Sequence, residues 1–298
     1  MMKIDVLCVG VSAYDLVFSL SGHPQPDEKT SADALVSCGG GPAANAAVTV
    51  ARLGLKSAFA GYVGSDFFGE QILQEFASEG VVTDLILRGE EQTPLSVILV
   101  KPNGDRAIVH YRGKNHYLSA DSVDLSTIEP SVILFDGHEP DASVQLADYA
   151  RSKGVKTVLD AGSVHRGTLE LMEKVDYLVG SRKFALEFTG ESSEEAAIQK
   201  LSEHNSSVVV TLGAQGLVWK NESGEGHLPA FNVVVVDTTG AGDAFHGAFA
   251  ACVALEGNWE YTLKYSSAVA ALCCTKLGAR IGMPTKEEVE KLIGKSRV

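Results

Sequence analysis

Phe231-Asn232-Val233-Val234-Val235-Val236-Asp237-Thr238-Thr239-Gly240-Ala241-Gly242-Asp243-Ala244-Phe245 is the stretch on which the reading of this chain turns. Its four consecutive valines end at Asp237 and predict a β-strand, because β-branched side chains suit a pleated surface. A loop of threonine, glycine and alanine follows, and then an apolar helix, Ala244–Leu255. Such a loop leaves backbone N–H groups free and lets an anion approach closely. The positive end of the helix dipole points at the same place. Asp243 stands at the helix start, where a carboxylate can accept a proton from an attacking hydroxyl. The loop amides would hold the charge that develops on a transferring phosphoryl group. That reaction depends on positioning and charge stabilisation more than on covalent chemistry. The plainer reading is an aspartate capping a helix above a tight turn.

Two more loops weigh against the plainer reading. Cys38-Gly39-Gly40-Gly41-Pro42-Ala43-Ala44-Asn45 is a second glycine cluster opening a helix, and Thr211-Leu212-Gly213-Ala214-Gln215-Gly216 closes a strand. Three such loops point to one crevice at the carboxyl edge of a sheet. Around them, strands are expected at Ile4–Val9, Ser57–Val63, Val132–Asp136, Thr157–Asp160, Tyr177–Val179 and Val208–Leu212. Helices are expected at Pro42–Leu53, Phe68–Glu79, Ala142–Lys153, Ser193–Asn205, Thr262–Cys274 and Lys286–Ile293. The alternation predicts an α/β fold with a doubly wound, mostly parallel sheet. Tyr14–Val36 and Pro94–His110 break this rhythm, the latter around the turn Pro102-Asn103-Gly104-Asp105. Both are read as strands of a small separate sheet, lying within 14–36 and 94–113 and acting as a lid. No repeat, low-complexity tract or linker divides the chain, so 1–298 is expected to form a single domain.

The formal net charge is −13. An acidic chain without a basic stripe is a poor partner for nucleic acid or an anionic membrane. Phosphate ligands remain open to it, because backbone dipoles bind them locally. The five cysteines form no Cys-x-x-Cys and sit mostly in apolar surroundings. They are read as reduced, in a cytoplasmic protein without a zinc site. No apolar run reaches the ~20 residues that span a bilayer.

Rival motifs fail on context. Gly39-x-Gly41-x-x-Ala44 fits the loose dinucleotide pattern, but the first strand lies far upstream. Ala58-Phe59-Ala60-Gly61-Tyr62 also supplies no acid where a ribose would need one. The Gly-x-x-x-x-Gly-Lys-Ser/Thr loop, the zincin histidine pair and Gly-x-Ser-x-Gly are absent.

The chain resembles the ribokinase-like sugar kinases, the PfkB carbohydrate kinase family, nearly end to end. Gly10-Val-Ser-Ala-Tyr-Asp15 is similar to the family's N-terminal sugar-binding turn, and Gly39–Asn45 to its first signature. Gly61-Tyr-Val-Gly-Ser-Asp66-Phe-Phe-Gly69 is similar to another family segment, and Asp237–Asp243 matches the second signature without a mismatch. The resemblance implies an ATP-dependent sugar kinase with Asp243 as general base and Gly240, Ala241 and Gly242 as anion hole. It implies substrate contacts at Asp15, Gly40, Gly41 and Asn45, and a nucleotide site at Thr211, Gly213 and Gly216. Mg2+ would travel with ATP. Asp237 and Thr239, with backbone near Ala279 and Gly282, would sit by a monovalent cation such as K+. The lid often serves as a homodimer interface in this family.

The family's Asn-x-x-Glu motif is missing. Ser181 and Phe184 stand in its place, leaving Ser181 on the nucleotide side and Glu187 as a substitute carboxylate one turn on. Within the family, the glycine signatures and Cys274–Pro284 look closest to sulfofructose and related ketose kinases. Lys29, His110, Arg112 and His138 would then face an anionic group on the substrate, against a plainer reading as solvated surface residues. His246, one turn after Asp243, reads as a packed helix residue. The other readings are a nucleoside kinase and a non-catalytic sugar- or nucleotide-binding regulator on the same fold.

Overall fold

The computed structural model describes residues 1–113 and 118–295. The chain runs through β1 (Met2–Val9), β2 (Ala13–Ser19), β3 (Ala34–Gly40), α1 (Pro42–Arg52), β4 (Ser57–Gly64), α2 (Phe67–Glu79) and β5 (Val82–Gly89). The hairpin β6 (Leu95–Val100) and β7 (Arg106–Tyr111) follows, then β8 (Ile128–Phe135), α3 (Pro140–Lys153), β9 (Lys156–Ala161), α4 (Arg166–Leu171) and β10 (Tyr177–Ser181). Next come α5 (Arg182–Thr189), α6 (Glu194–Leu201), β11 (Val208–Thr211), β12 (Leu217–Asn221) and β13 (Gly224–Leu228). The chain ends with α7 (Ala241–Ala254), α8 (Trp259–Cys273), α9 (Ala279–Gly282) and α10 (Lys286–Lys295).

The large sheet has the order β13-β12-β11-β10-β9-β8-β1-β4-β5. From β11 to β5 every pairing is parallel, while β12 and β13 add an antiparallel edge hairpin. The central strands are apolar on both faces because helices cover both, as Val6, Leu7, Cys8 and Val9 of β1 illustrate by their full burial. One cluster packs α1, α7 and α8 against one face, and a second packs α3 and α6 against the other. This is the doubly wound, mostly parallel fold expected from the alternation.

The small sheet has the order β3-β2-β6-β7 and is built from the two segments that break that rhythm. Its strands start earlier and end later than expected, since β2 begins at Ala13 and β3 runs on to Gly40. Three differences from expectation are larger. The edge hairpin β12–β13 and strand β5 carry too little periodicity to stand out in the sequence. Ser193–Asn205 is helical only over α6, which ends at Leu201. Most instructive, Phe231–Val236 forms no strand. β-propensity is realised only against a partner strand, and this segment has none. Val236 and Asp237 donate their N–H groups to the Cys274 carbonyl instead, at 2.8 and 3.3 Å, and Val234 is left 84% exposed.

Candidate active site

Small residues set the geometry at the centre. Ala43, Ala44, Ala46 and Ala47 of α1 meet Ala244, Gly247 and Ala248 of α7, all in one cluster except the side-chain-free glycine. A Cβ on Gly247 would stand 2.7 Å from the Ala46 carbonyl oxygen, so the two helices approach almost backbone to backbone. This close approach brings Asn45 to Asp243: the Asn45 Nδ2 donates to Asp243 Oδ2 at 2.8 Å. Both line a cavity of about 340 Å³ together with Val11, Asp15, Gly41, Thr239 and Gly240. Asn45 Oδ1 is buried with no protein donor. Burial pushes the Asp243 carboxyl above the usual range, opposed by the Asn45 hydrogen bond and the charges of His246 and Arg106.

Helix α7 begins at Ala241, earlier than expected, so Gly242 and Asp243 lie in its first turn. Gly240 precedes it at φ 79°, and a Cβ there would strike Ala279 Cβ at 2.6 Å. Among the described residues the N–H groups of Gly242 and Asp243 find no protein acceptor, and that of Ala241 has only a long contact, 3.4 Å, to the Thr238 carbonyl. A Cβ on Gly242 would meet nothing within 4 Å. The turn is therefore an open cradle of amides at a helix N-terminus, fit for the phosphates of a nucleotide.

Asp237 fixes the loop from below. Its Oδ1 accepts from the Thr239 N–H and hydroxyl at 2.9 and 2.7 Å, and its Oδ2 accepts from the Gly278 N–H at 2.9 Å. Asp136, just after β8, does similar work on the opposite side of the cavity. It accepts from the N–H groups of Val11, Ala43 and His138 at 2.8, 3.2 and 2.8 Å, gathering three loops onto one carboxylate. A Cβ on Gly10 would collide with that carboxylate at 2.0 Å.

The lid forms the opposite wall. Alternate residues of its strands share a face, and register aligns Asp15, Ser96 and His110 in one cross-strand row. Ser96 Oγ lies 3.1 Å from His110 Nδ1. The next row is Val17, Ile98 and Ile108. Asp15 is 4% exposed, and burial pushes its carboxyl up to about 6 against the pull of Ser96 and Arg280. Arg106 starts β7 and donates through Nη1 to Thr238 Oγ1, tying the lid to the phosphate turn. Arg112 donates to the His138 carbonyl and to Glu139 Oε1, at 2.8 and 3.2 Å. Burial holds Glu139 up at about 7 and lowers His110. Arg106, His110, Arg112 and His138 all line the cavity.

Of the expected site residues, Asp15, Gly41, Asn45, Gly240 and Asp243 line the cavity, as do His110, Arg112 and His138. Lys29 does not. It lies in the exposed loop between β2 and β3, where neighbouring prolines and acids keep the chain in solvent. Gly40 lies behind the cavity, so close to Asp15 that a Cβ would stand 2.1 Å from its carboxylate. Of the residues expected on a nucleotide side, Ser181 and Thr211 are register partners at the carboxyl edge of β10 and β11. Ser181 Oγ caps α5 by accepting from the Phe184 N–H at 3.0 Å, and donates to the Gly162 carbonyl at 2.8 Å. Gly213 has φ 60° and open space beside it, while Gly216 has φ 92° and presses on the Leu228 carbonyl. Phe184 is fully buried in the core, and Glu187 is exposed on the next turn of α5. Arg106, Ser96 and Asp136 escape a reading of the sequence, because only lid register and strand order place them here.

A base beside an amide cradle, facing a covered cavity, suits phosphoryl transfer to a hydroxyl of a small molecule. Comparison with known proteins agrees. The model of the pfkB family carbohydrate kinases matches residues 3–286. The ribokinase of Haemophilus influenzae is 30% identical over 298 residues, covering 96% of this chain and 97% of that protein. The structure of Arabidopsis thaliana ribokinase complexed with ribose and ATP superposes with a TM-score of 0.83 at 25% identity, covering 98% of this chain and 99% of that one. An E. coli structure holding ATP and Mg2+ gives a TM-score of 0.83 at 25% identity, covering 97% and 99%. The chain belongs to the pfkB family of carbohydrate kinases and is an ATP-dependent sugar kinase. No helix among the described residues is long and apolar enough to cross a membrane.

Proposed function

We propose that Asp243 is the general base of this kinase and that the amides of Gly240, Ala241 and Gly242 form its anion hole. The observation that carries this is the Asp243 carboxylate facing the cavity beside N–H groups with no protein acceptor. The acceptor sugar lies between Asp15, Gly41 and Asn45, with its reacting hydroxyl toward Asp243. Asp243 takes that proton as the oxygen attacks the γ-phosphorus, the bond from that phosphorus to the β,γ-bridging oxygen breaks to release ADP, and the amides receive charge building on the phosphoryl oxygens. Bound with ATP, Mg2+ would supply neutralisation of phosphate charge. The carboxylate of the family's Asn-x-x-Glu motif has no counterpart, because Phe184 occupies the core. Ser181, Thr211, Gly213 and Gly216 line the nucleotide side at the ends of β10 and β11.

The cavity also speaks to the acceptor. In a chain of net charge −13, its outer wall carries Arg106, His110, Arg112 and His138. We read this wall as recognising an anionic substituent on a ketose, a phosphate or sulfonate. A K+ ion would sit where the Thr239 and Ala279 carbonyls converge, 3.6 and 3.7 Å from Cys273 Sγ. Asp237 would act there by fixing the loops. The outward lid face exposes Leu35, Val109 and Tyr111, an apolar surface that supports a homodimer through the lid. All five cysteines are free and four are buried, which supports a cytoplasmic setting. Residues 1–298 are read as one domain carrying that lid.

The test is ADP release with ATP and Mg2+ over ribose, fructose, fructose 1-phosphate, fructose 6-phosphate and sulfofructose. An anionic ketose should give the highest kcat/KM, and a preference for neutral sugars would remove the charged-wall reading. Asp243→Asn should lower kcat at least ~10²-fold with little change in binding. Near-normal kcat in that variant would take the base role from Asp243.

A further inference from the structure

Beneath the phosphate turn lie two buried side chains that the chemistry above leaves unused, His246 at 3% exposure and Asp160 at 6%. The His246 ring sits among three oxygens from three elements. Nδ1 is 2.6 Å from the Gly242 carbonyl oxygen in α7 and 3.2 Å from Asp160 Oδ2 in β9. Nε2 is 3.0 Å from the Val179 carbonyl oxygen in β10. Carbonyl oxygens only accept hydrogen bonds, so a proton on Nδ1 is donated to Gly242 and one on Nε2 to Val179. Asp160 Oδ2 braces the same Nδ1 edge of the ring from β9.

The Gly242 carbonyl belongs to the same peptide unit as the Asp243 N–H. That unit is planar and rigid, so whatever holds the carbonyl also aims the N–H. The ring grips the carbonyl on the interior side, while the N–H on the other side has no protein acceptor. We propose that His246, braced by Asp160, is a positioning residue for phosphoryl transfer, holding the Gly242–Asp243 peptide with its N–H aimed at the transferring group. This rests on the reading of Gly240–Asp243 as the phosphate cradle.

Three replacements separate a clamp from mere filling of space. Asparagine puts its Nδ2 at the same bond distance from Cβ as His Nδ1, so His246→Asn keeps the grip on Gly242 and Asp160 and loses Val179. His246→Gln reaches toward Val179 and loses Gly242. His246→Phe fills the space with no donor. With the best acceptor of the panel, His246→Phe should lose at least ~10-fold in kcat, the scale of a small misalignment, with KM values within about twofold. His246→Asn should recover about fivefold or more over both others. Equal kcat in the Asn and Gln variants, or kcat that follows Tm through the series, would overturn the clamp. Should the Phe variant not fold, the Asn-to-Gln ratio decides alone. Proton NMR at pH 7 gives a test that needs no acceptor. An exchange-protected Nδ1–H signal, absent from His246→Asn, is expected, and its absence from the unsubstituted protein would refute the grip on Gly242. If Gly242→Val is inactive while the His246 series is flat, the cradle stands and only the clamp falls.

Discussion

Replacing Asp15 by asparagine should stabilise the fold while weakening the enzyme. Burial raises this carboxyl from its ordinary 3.8 to about 6, with the charges of Asp243 and Glu75 adding to the effect. A folded-state value above the unfolded one means that ionisation opposes folding. Above pH 6 both states are ionised and the full penalty is present. As pH falls through 6 the folded state takes up its proton first, and below 3.8 the penalty is gone. The shift corresponds to about 3 kcal/mol at pH 8, of which about half remains at pH 5. The replacing amide keeps an acceptor for Ser96 and offers donors to the neighbouring carboxylates, so up to that amount should return as stability. On the functional side, a charged acceptor for sugar hydroxyls is lost, about 1.5–3 kcal/mol, or a rise of roughly 10- to 150-fold in acceptor KM. Urea unfolding of both proteins at pH 8 and pH 5 measures the first effect, and initial rates of ADP release measure the second. The reasoning fails if the variant is the less stable protein at pH 8, or if the gap between the two does not narrow at pH 5.

The same carboxyls set the acid limb of activity. Asp15 and Asp243 both act ionised and both have raised values, so kcat/KM should fall as pH drops below about 6; a profile flat down to pH 4.5 would contradict these roles. Gly242→Val places a side chain where a Cβ meets nothing, so Tm should hold within a few degrees while turnover drops at least ~10²-fold. Unimpaired turnover there would remove the anion hole.

What the sequence exposes depends on how local the cause is. The turn Gly240–Asp243 is legible because glycines and an aspartate ahead of an apolar helix have few other uses. The lid hairpin is legible from Pro102–Asp105 and the alternation around it. The Asn45–Asp243 hydrogen bond joins residues 198 apart, and it exists because α1 and α7 are small along the faces that meet. No local pattern contains that fact; only resemblance to known kinases pairs the two signatures. Arg106 and Ser96 face the cavity through the phase of the lid strands, which register decides and sequence leaves open. Lys29 groups with the cationic residues by type, yet its loop carries it into solvent. Val233–Val236 has the composition of a strand but no neighbour to pair with.

The cavity's two walls are coupled by few residues, and that coupling bears on how water is excluded. The lid contributes Asp15, Ser96 and His110 to the sugar side, and the same sheet carries Arg106 to Thr238 on the phosphate turn. On the body side, Asp136 ties the Gly10–Val11 turn to the entrance of α1, and Asn45 ties α1 to Asp243. A sugar that engages Asp15 therefore bears on the sheet whose far end is tethered beside the anion hole. On the proposed reading, seating the acceptor and covering the phosphate turn would both act through one sheet. ATP bound alone would face water in an incompletely covered site, where hydrolysis lacks a positioned nucleophile. On the proposed reading, transfer to the sugar would be favoured over transfer to water, because Asp15, proposed to hold the acceptor, belongs to the sheet that covers the site.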